Sequence, residues 1–136
     1  MPTIGASGKC LCGAVSFSME FPTKWAAHCH CTKCQRGHGA AFVTWVGAAT
    51  SQVTIHDQDG LLNWYSSSAG AERGSCSRCG SSLFFRSLKW PGELHIARAN
   101  FTGPIDREPQ GHAYYDTHVE WAAVTDDLPR TSDPDA

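Results

Sequence analysis

Seven cysteines in three tight groups constrain this chain more than any other feature: Cys10 and Cys12, then Cys29, Cys31 and Cys34, then Cys76 and Cys79. Their spacings are C-x-C, C-x-C-x-x-C and C-x-x-C. An odd number of thiols cannot pair completely into disulfides. Thiols two or three residues apart can converge on one small ion, so metal binding is favoured over a disulfide framework. A reducing, cytoplasmic location is the matching expectation. Zinc takes a tetrahedral shell of thiolates about 2.3 Å away, and a structural site is closed by four of them. Seven cysteines then divide as four plus three. Spacing alone leaves two divisions open. One joins Cys31 and Cys34 with Cys76 and Cys79 in the manner of a zinc ribbon. The other joins Cys10 and Cys12 with Cys76 and Cys79, and keeps Cys29, Cys31 and Cys34 together.

A chain of 136 residues, 41% hydrophobic and 18% charged, suits one globular domain. The expected core runs over about residues 8–129, with a flexible tail over 130–136. A formal net charge of −2 gives no electrostatic footprint for nucleic acid. No apolar run approaches the length of a membrane helix, and the first residues lack the pattern of a secretory signal. Neither nucleic acid nor membrane is therefore expected as a partner.

Apolar residues mostly alternate, which predicts strands. "GAVSFSME", "AAFVTWVG", "SQVTIHD", "LLNWYSS", "SSLFFRS", "ELHIARANF" and "HVEWAAV" are the candidates. The turn signal Asp57-Gln58-Asp59-Gly60 predicts that "SQVTIHD" and "LLNWYSS" form a hairpin. Helical signal is weak, with one turn expected after Cys31. The fold class is mainly β, built of antiparallel sheets and stapled by zinc. Gly80, after Cys79, suits a tight knuckle with positive φ.

The order "GKCLCGAVSF", "HCHCTKCQR", "GSCSRCGSSLFF" and a late "DDLP" resembles the glutathione-dependent formaldehyde-activating enzyme family, which includes centromere-protein-V-like domains. The resemblance covers about Gly8 to Pro129 and implies a tent-like fold similar to Mss4. It implies a structural zinc on Cys10, Cys12, Cys76 and Cys79. It also implies a second zinc, with an open position, on Cys29, Cys31 and Cys34, which would be the catalytic residues. Glutathione would be the co-substrate thiol and formaldehyde the aldehyde, making the protein a carbon–sulfur lyase or synthase working through a zinc-bound thiolate. The alternative is a non-catalytic zinc module, either a glutathione carrier or a protein-binding Mss4-like domain.

Thiol activation alone cannot carry such catalysis. Lowering a thiol pKa from about 8.5 to about 6.5 raises the thiolate fraction at pH 7 roughly 25-fold. The accompanying fall in nucleophilicity takes back about eightfold, leaving a gain of about threefold. Orientation must supply the rest. Glutathione carries two carboxylates, so Lys33 and Arg36 beside the three-cysteine motif are the first candidates to bind it, with Arg73 and Arg98 behind them. In an extended segment His30 points away from Cys29 and Cys31. His38 is expected to be structural or exposed rather than a proton shuttle, and Trp45, Trp64, Trp90 and Trp121 to be core or pocket walls. Whether His118 approaches the site depends on the fold.

Overall fold

The computed structural model describes residues 4–132. Its strands are β1 (Gly5–Lys9), β2 (Ser16–Glu20), β3 (Trp25–Cys29), β4 (Val43–Ala49), β5 (Val53–His56), β6 (Leu62–Ser68), β7 (Ala71–Cys76), β8 (Ser82–Ser87), β9 (Glu93–Ala97) and β10 (His112–Ala113). A short α-helix, α1 (Thr32–His38), lies between β3 and β4. The fold is mainly β. Strands β1, β2 and β5 form a small antiparallel sheet in the order β1-β2-β5, and the other seven form a large one in the order β10-β3-β4-β9-β8-β7-β6. The expectation of purely antiparallel sheets fails at one place, because β10 pairs with β3 in parallel. The long connection after β9 is what permits this, since parallel neighbours need a crossover.

Period-two alternation sorts the large sheet into two faces. Val46 and Ala48 of β4, Leu94 and Ile96 of β9, and Ala26 of β3 share a core with Val15, Phe17 and Met19. The small sheet covers this face through Phe17, whose ring meets Phe84 and Phe101 edge-on at 5.6 and 5.0 Å. On the other face, Val43 and Trp45 of β4, Ala97 of β9 and Cys29 of β3 build a second apolar cluster with Cys34.

Gly8 of β1 lies so close to the Asn100 carbonyl and the Phe17 ring that a Cβ would collide with both. Gly8→Ala is expected to lower stability by about 1–3 kcal/mol through overpacking. A urea titration reads this as a lower midpoint at constant slope. An unchanged midpoint would mean that the small sheet shifts freely on the large one.

Three further expectations are corrected. β5 does not pair with β6: it adds to β2, while β6 pairs with β7. The carboxylate of Asp57 accepts hydrogen bonds from the N–H groups of Leu61 and Leu62 at 2.7 and 3.0 Å, and this capped turn sends the chain to the other sheet instead of folding it back. "HVEWAAV" forms no strand, and Trp121 within it is exposed. The expected tail begins in contact with the domain. Arg130 bridges His112, and Thr131 donates its N–H to the His112 carbonyl at 2.8 Å. Residues 133–136 lie outside the described residues.

Candidate metal centres

The two closing ends of the sheets carry four of the cysteines. Cys10 and Cys12 sit in the turn after β1, Cys76 ends β7, and Cys79 lies in the turn before β8. Gly80 adopts φ +79 and donates its N–H to the Cys76 carbonyl at 2.8 Å, which folds the C-x-x-C segment into a knuckle. The Leu11 N–H donates to Ser81 Oγ at 2.9 Å and fastens one knuckle to the other. The four sulfurs all lie within 4.8 Å of one another. Cys10–Cys12 and Cys12–Cys76 separations are 3.6 and 3.8 Å. Zinc–sulfur bonds of about 2.3 Å give a tetrahedral edge of about 3.8 Å, so the donor set fits a four-thiolate metal. The Ser81 hydroxyl, 3.2 Å from the Cys79 sulfur, leads the causes that hold that thiol down to about 5.

The other three thiols also converge within 4.8 Å. Cys29 ends β3, Cys31 is the N-cap of α1, and Cys34 lies in the first turn of the helix. The Cys31 sulfur accepts from the Cys34 N–H at 3.3 Å, so capping and convergence are one arrangement. Cys29 and Cys34 sulfurs are 3.4 Å apart. Hydrogen bonds from Cys29 and then Cys34 hold the Cys31 thiol down to about 2, and the same crowding pushes Cys29 far up. A divalent soft metal relieves this competition by taking all three as thiolates. The fold thus groups the cysteines as 10, 12, 76, 79 and 29, 31, 34, and not as a ribbon of 31, 34, 76 and 79.

The three-cysteine group faces a cavity of 640 Å³ walled by Trp25, Trp45, Phe85, Trp90 and Tyr114. Among the described residues, its lining contains Lys33, Arg73 and Lys89 but no carboxylate. Tyr114 holds a left-handed backbone, φ 54, at the wall. Cys34 receives two further donors. Trp45 Nε1–H lies 3.3 Å from its sulfur, and the Arg73 guanidinium nitrogens lie at 3.6 and 3.7 Å. The guanidinium also covers the Phe85 ring at 4.9 Å.

Lys33 lines the cavity, whereas Arg36 is exposed and away from it. Two residues beyond Cys34, Arg36 is turned about 200° around the helix axis from that ligand. Arg73, ranked behind it on sequence, takes the place beside the sulfurs. Nothing local in "AERGSC" signals this, because only the pairing of β7 with β8 carries Arg73 to Phe85. Arg98 instead lies over Phe101, 5.7 Å from the ring. His38 packs edge-on against Trp45 at 5.3 Å, and burial first, then Arg73, lowers its pKa to about 4. Trp64 stacks on Phe84 at 6.1 Å in the core. His118 stacks on Tyr115 at 3.9 Å. His30 is buried against His112, with Nε2 and Nδ1 2.8 Å apart.

Fold and site together define a mainly β domain with two cysteine groups, each able to hold a metal ion, one complete and one opening on a cavity. This chain belongs to the glutathione-dependent formaldehyde-activating enzyme family, whose pattern matches residues 5–117. A Halomonas elongata relative that carries the family's name is 26% identical over 125 residues, covering 86% of this chain and 79% of its own length. A Rhodobacter sphaeroides protein of known crystal structure shares the fold, with a TM-score of 0.63 at 23% identity over 92% of this chain and 99% of that one. No helix among the described residues is long and apolar enough to cross a membrane.

Proposed function

We propose that this protein is a zinc-dependent carbon–sulfur lyase or synthase that joins a glutathione-like thiol to formaldehyde or a similarly small aldehyde, and also catalyses the reverse. One zinc closes the four-cysteine group and a second is held by Cys29, Cys31 and Cys34. When bound there, the second ion supplies an open position that favours the ionised form of an incoming thiol. The observation that carries the reading is the convergence of three thiols on a cavity that offers cations and no carboxylate.

The chain's own residues supply the orientation that thiol activation lacks. Arg73 and Trp45 donate to Cys34 and fix its sulfur. Three thiolates around a dication leave a net charge of −1, which the Arg73 guanidinium offsets. Lys33 and Arg73 line the cavity and would pair with the thiol's carboxylates. The aromatic walls give the reacting atoms an apolar surround on one side. In the synthetic direction the thiol sulfur attacks the aldehyde carbon. A C–S bond forms, the carbonyl π bond breaks, and the oxygen gains the proton the thiol has lost. The reverse step returns thiol and aldehyde in equal amounts. A reducing, cytoplasmic setting would keep all seven cysteines out of disulfides and available to bind metal.

Exchange NMR of a glutathione–formaldehyde mixture tests this directly. The protein is expected to speed interconversion above the spontaneous rate. Arg73→Met should lower kcat/KM roughly 10–100-fold, since a hydrogen bond to a charged group is worth about 1.5–3 kcal/mol. No acceleration by the unmodified protein, with glutathione still bound, would replace the enzyme by a glutathione carrier.

A further inference from the structure

We propose that the chain has a separate site for a first-row divalent cation, with zinc the best match, built by His28, His112 and Asp126. It lies on the opposite face of the large sheet from the cavity. His28 and Cys29 are consecutive in β3, so their side chains leave the sheet on opposite sides. The site and the cavity are therefore reached from different faces of the sheet.

The parallel pairing of β10 with β3 sets His112 beside His28, with ring centroids 4.8 Å apart. Asp126 arrives on the C-terminal segment, which is tied to β10 by the His112 N–H donating to the Pro129 carbonyl at 2.8 Å. One donor atom from each of the three residues lies within 4.8 Å of the other two. Two imidazoles and a carboxylate are a recurrent donor set for zinc and for ferrous iron, with positions left open to water. Asp126 is exposed and His112 buried, so the ion would sit at the rim of the domain.

The surroundings of the two rings strengthen the assignment. His28 Nδ1 is 2.8 Å from Thr44 Oγ1, and His112 Nδ1 is 2.8 Å from His30 Nε2. Each ring thus has one nitrogen engaged and oriented, which leaves Nε2 for a metal, as in established histidine sites. His112 Nε2 is 3.0 Å from both oxygens of Asp126. That is close to the edge of about 3.3 Å expected between nitrogen and oxygen ligands of one zinc. A plain Asp–His hydrogen bond would explain His112 and Asp126. It would not explain why His28 also brings a ring nitrogen within 4.8 Å of the other two donors. Arg130, with Nη1 3.9 Å from Asp126 Oδ1, competes for the carboxylate and weakens the site without blocking it.

Equilibrium dialysis of the full chain against zinc, with its cysteine groups already saturated, tests the proposal. The unmodified protein should retain one equivalent more than Asp126→Ala, and Thr44→Val should weaken that extra equivalent about 10–100-fold. Equal retention by the unmodified protein and Asp126→Ala would overturn the site. So would an extra equivalent that ignores Thr44→Val. Nitrogen-15 NMR of the unmodified protein guards against a variant that misfolds. The ring nitrogens of His28 and His112 should shift as the extra equivalent binds, and unmoved resonances would overturn the proposal.

Discussion

Cys76→Ser is expected to yield a chain that does not hold its fold. Cys76 is fully buried at the end of β7, and its sulfur lies 3.8 Å from that of Cys12, so it joins the large sheet to the turn that follows β1. With zinc in the four-cysteine group, as proposed, the metal contributes about 10–16 kcal/mol of apparent binding energy at neutral pH. A domain of this size is stable by about 5–15 kcal/mol in total. Removing one of four thiolates forfeits much of that contribution and leaves a serine hydroxyl in a sulfur-lined interior. Loss of near-ultraviolet circular dichroism and collapse of amide dispersion in NMR would be the signature. A chelator strong enough to empty the unmodified protein should reproduce it. A cooperative melt within a few degrees of the unmodified protein would show that the four sulfurs do not carry the fold.

Cys31→Ser should do the reverse, keeping the fold and abolishing the proposed activity. Cys31 caps α1 through its side chain, and serine is among the best capping residues, so the helix start survives the change. The group on which the chemistry converges is reduced to Cys29 and Cys34. Interconversion of thiol and aldehyde should return to the spontaneous rate, a loss of about 100-fold or more if orientation supplies the acceleration. The melting temperature should move by only a few degrees. If Cys31→Ser unfolded the domain while Cys76→Ser did not, the roles given to the two groups would be exchanged.

The strand candidates with a clear apolar set became β2, β4 and β9, each with one residue set facing the shared core and the other facing elsewhere, while β8 carries both Leu83 and Phe84 into that core across a register shift. β1 and β7 escaped notice for opposite reasons. "GASGK" offers almost no apolar side chain, and it is a strand because it pairs along its whole length with β2, with glycine where Gly8 approaches the Asn100 carbonyl. "AERGSC" is polar, and its neighbours on both sides hold it in place. β10 is two residues long and exists only through β3 and the C-terminal segment. The spacing made metal binding legible but left two groupings of the thiols open, and only the family's order of motifs chose between them. Trp25 and Tyr114 were not legible as site residues, and Arg73 was only a second-rank candidate, since each reaches the cavity through strand pairing or a left-handed turn far from the cysteine motifs. The histidines were visible one by one, but their clustering depends on a parallel pairing that no local pattern announces.

β3 is five residues long and serves both sides of its sheet with consecutive side chains. Inserting or deleting a single residue there would send sulfur where imidazole stands and imidazole where sulfur stands. Such a frame change would disrupt both proposed sites at once, whereas single substitutions can silence either one alone. The strand therefore acts as a ruler whose divisions, more than its residue identities, keep two unlike chemistries apart.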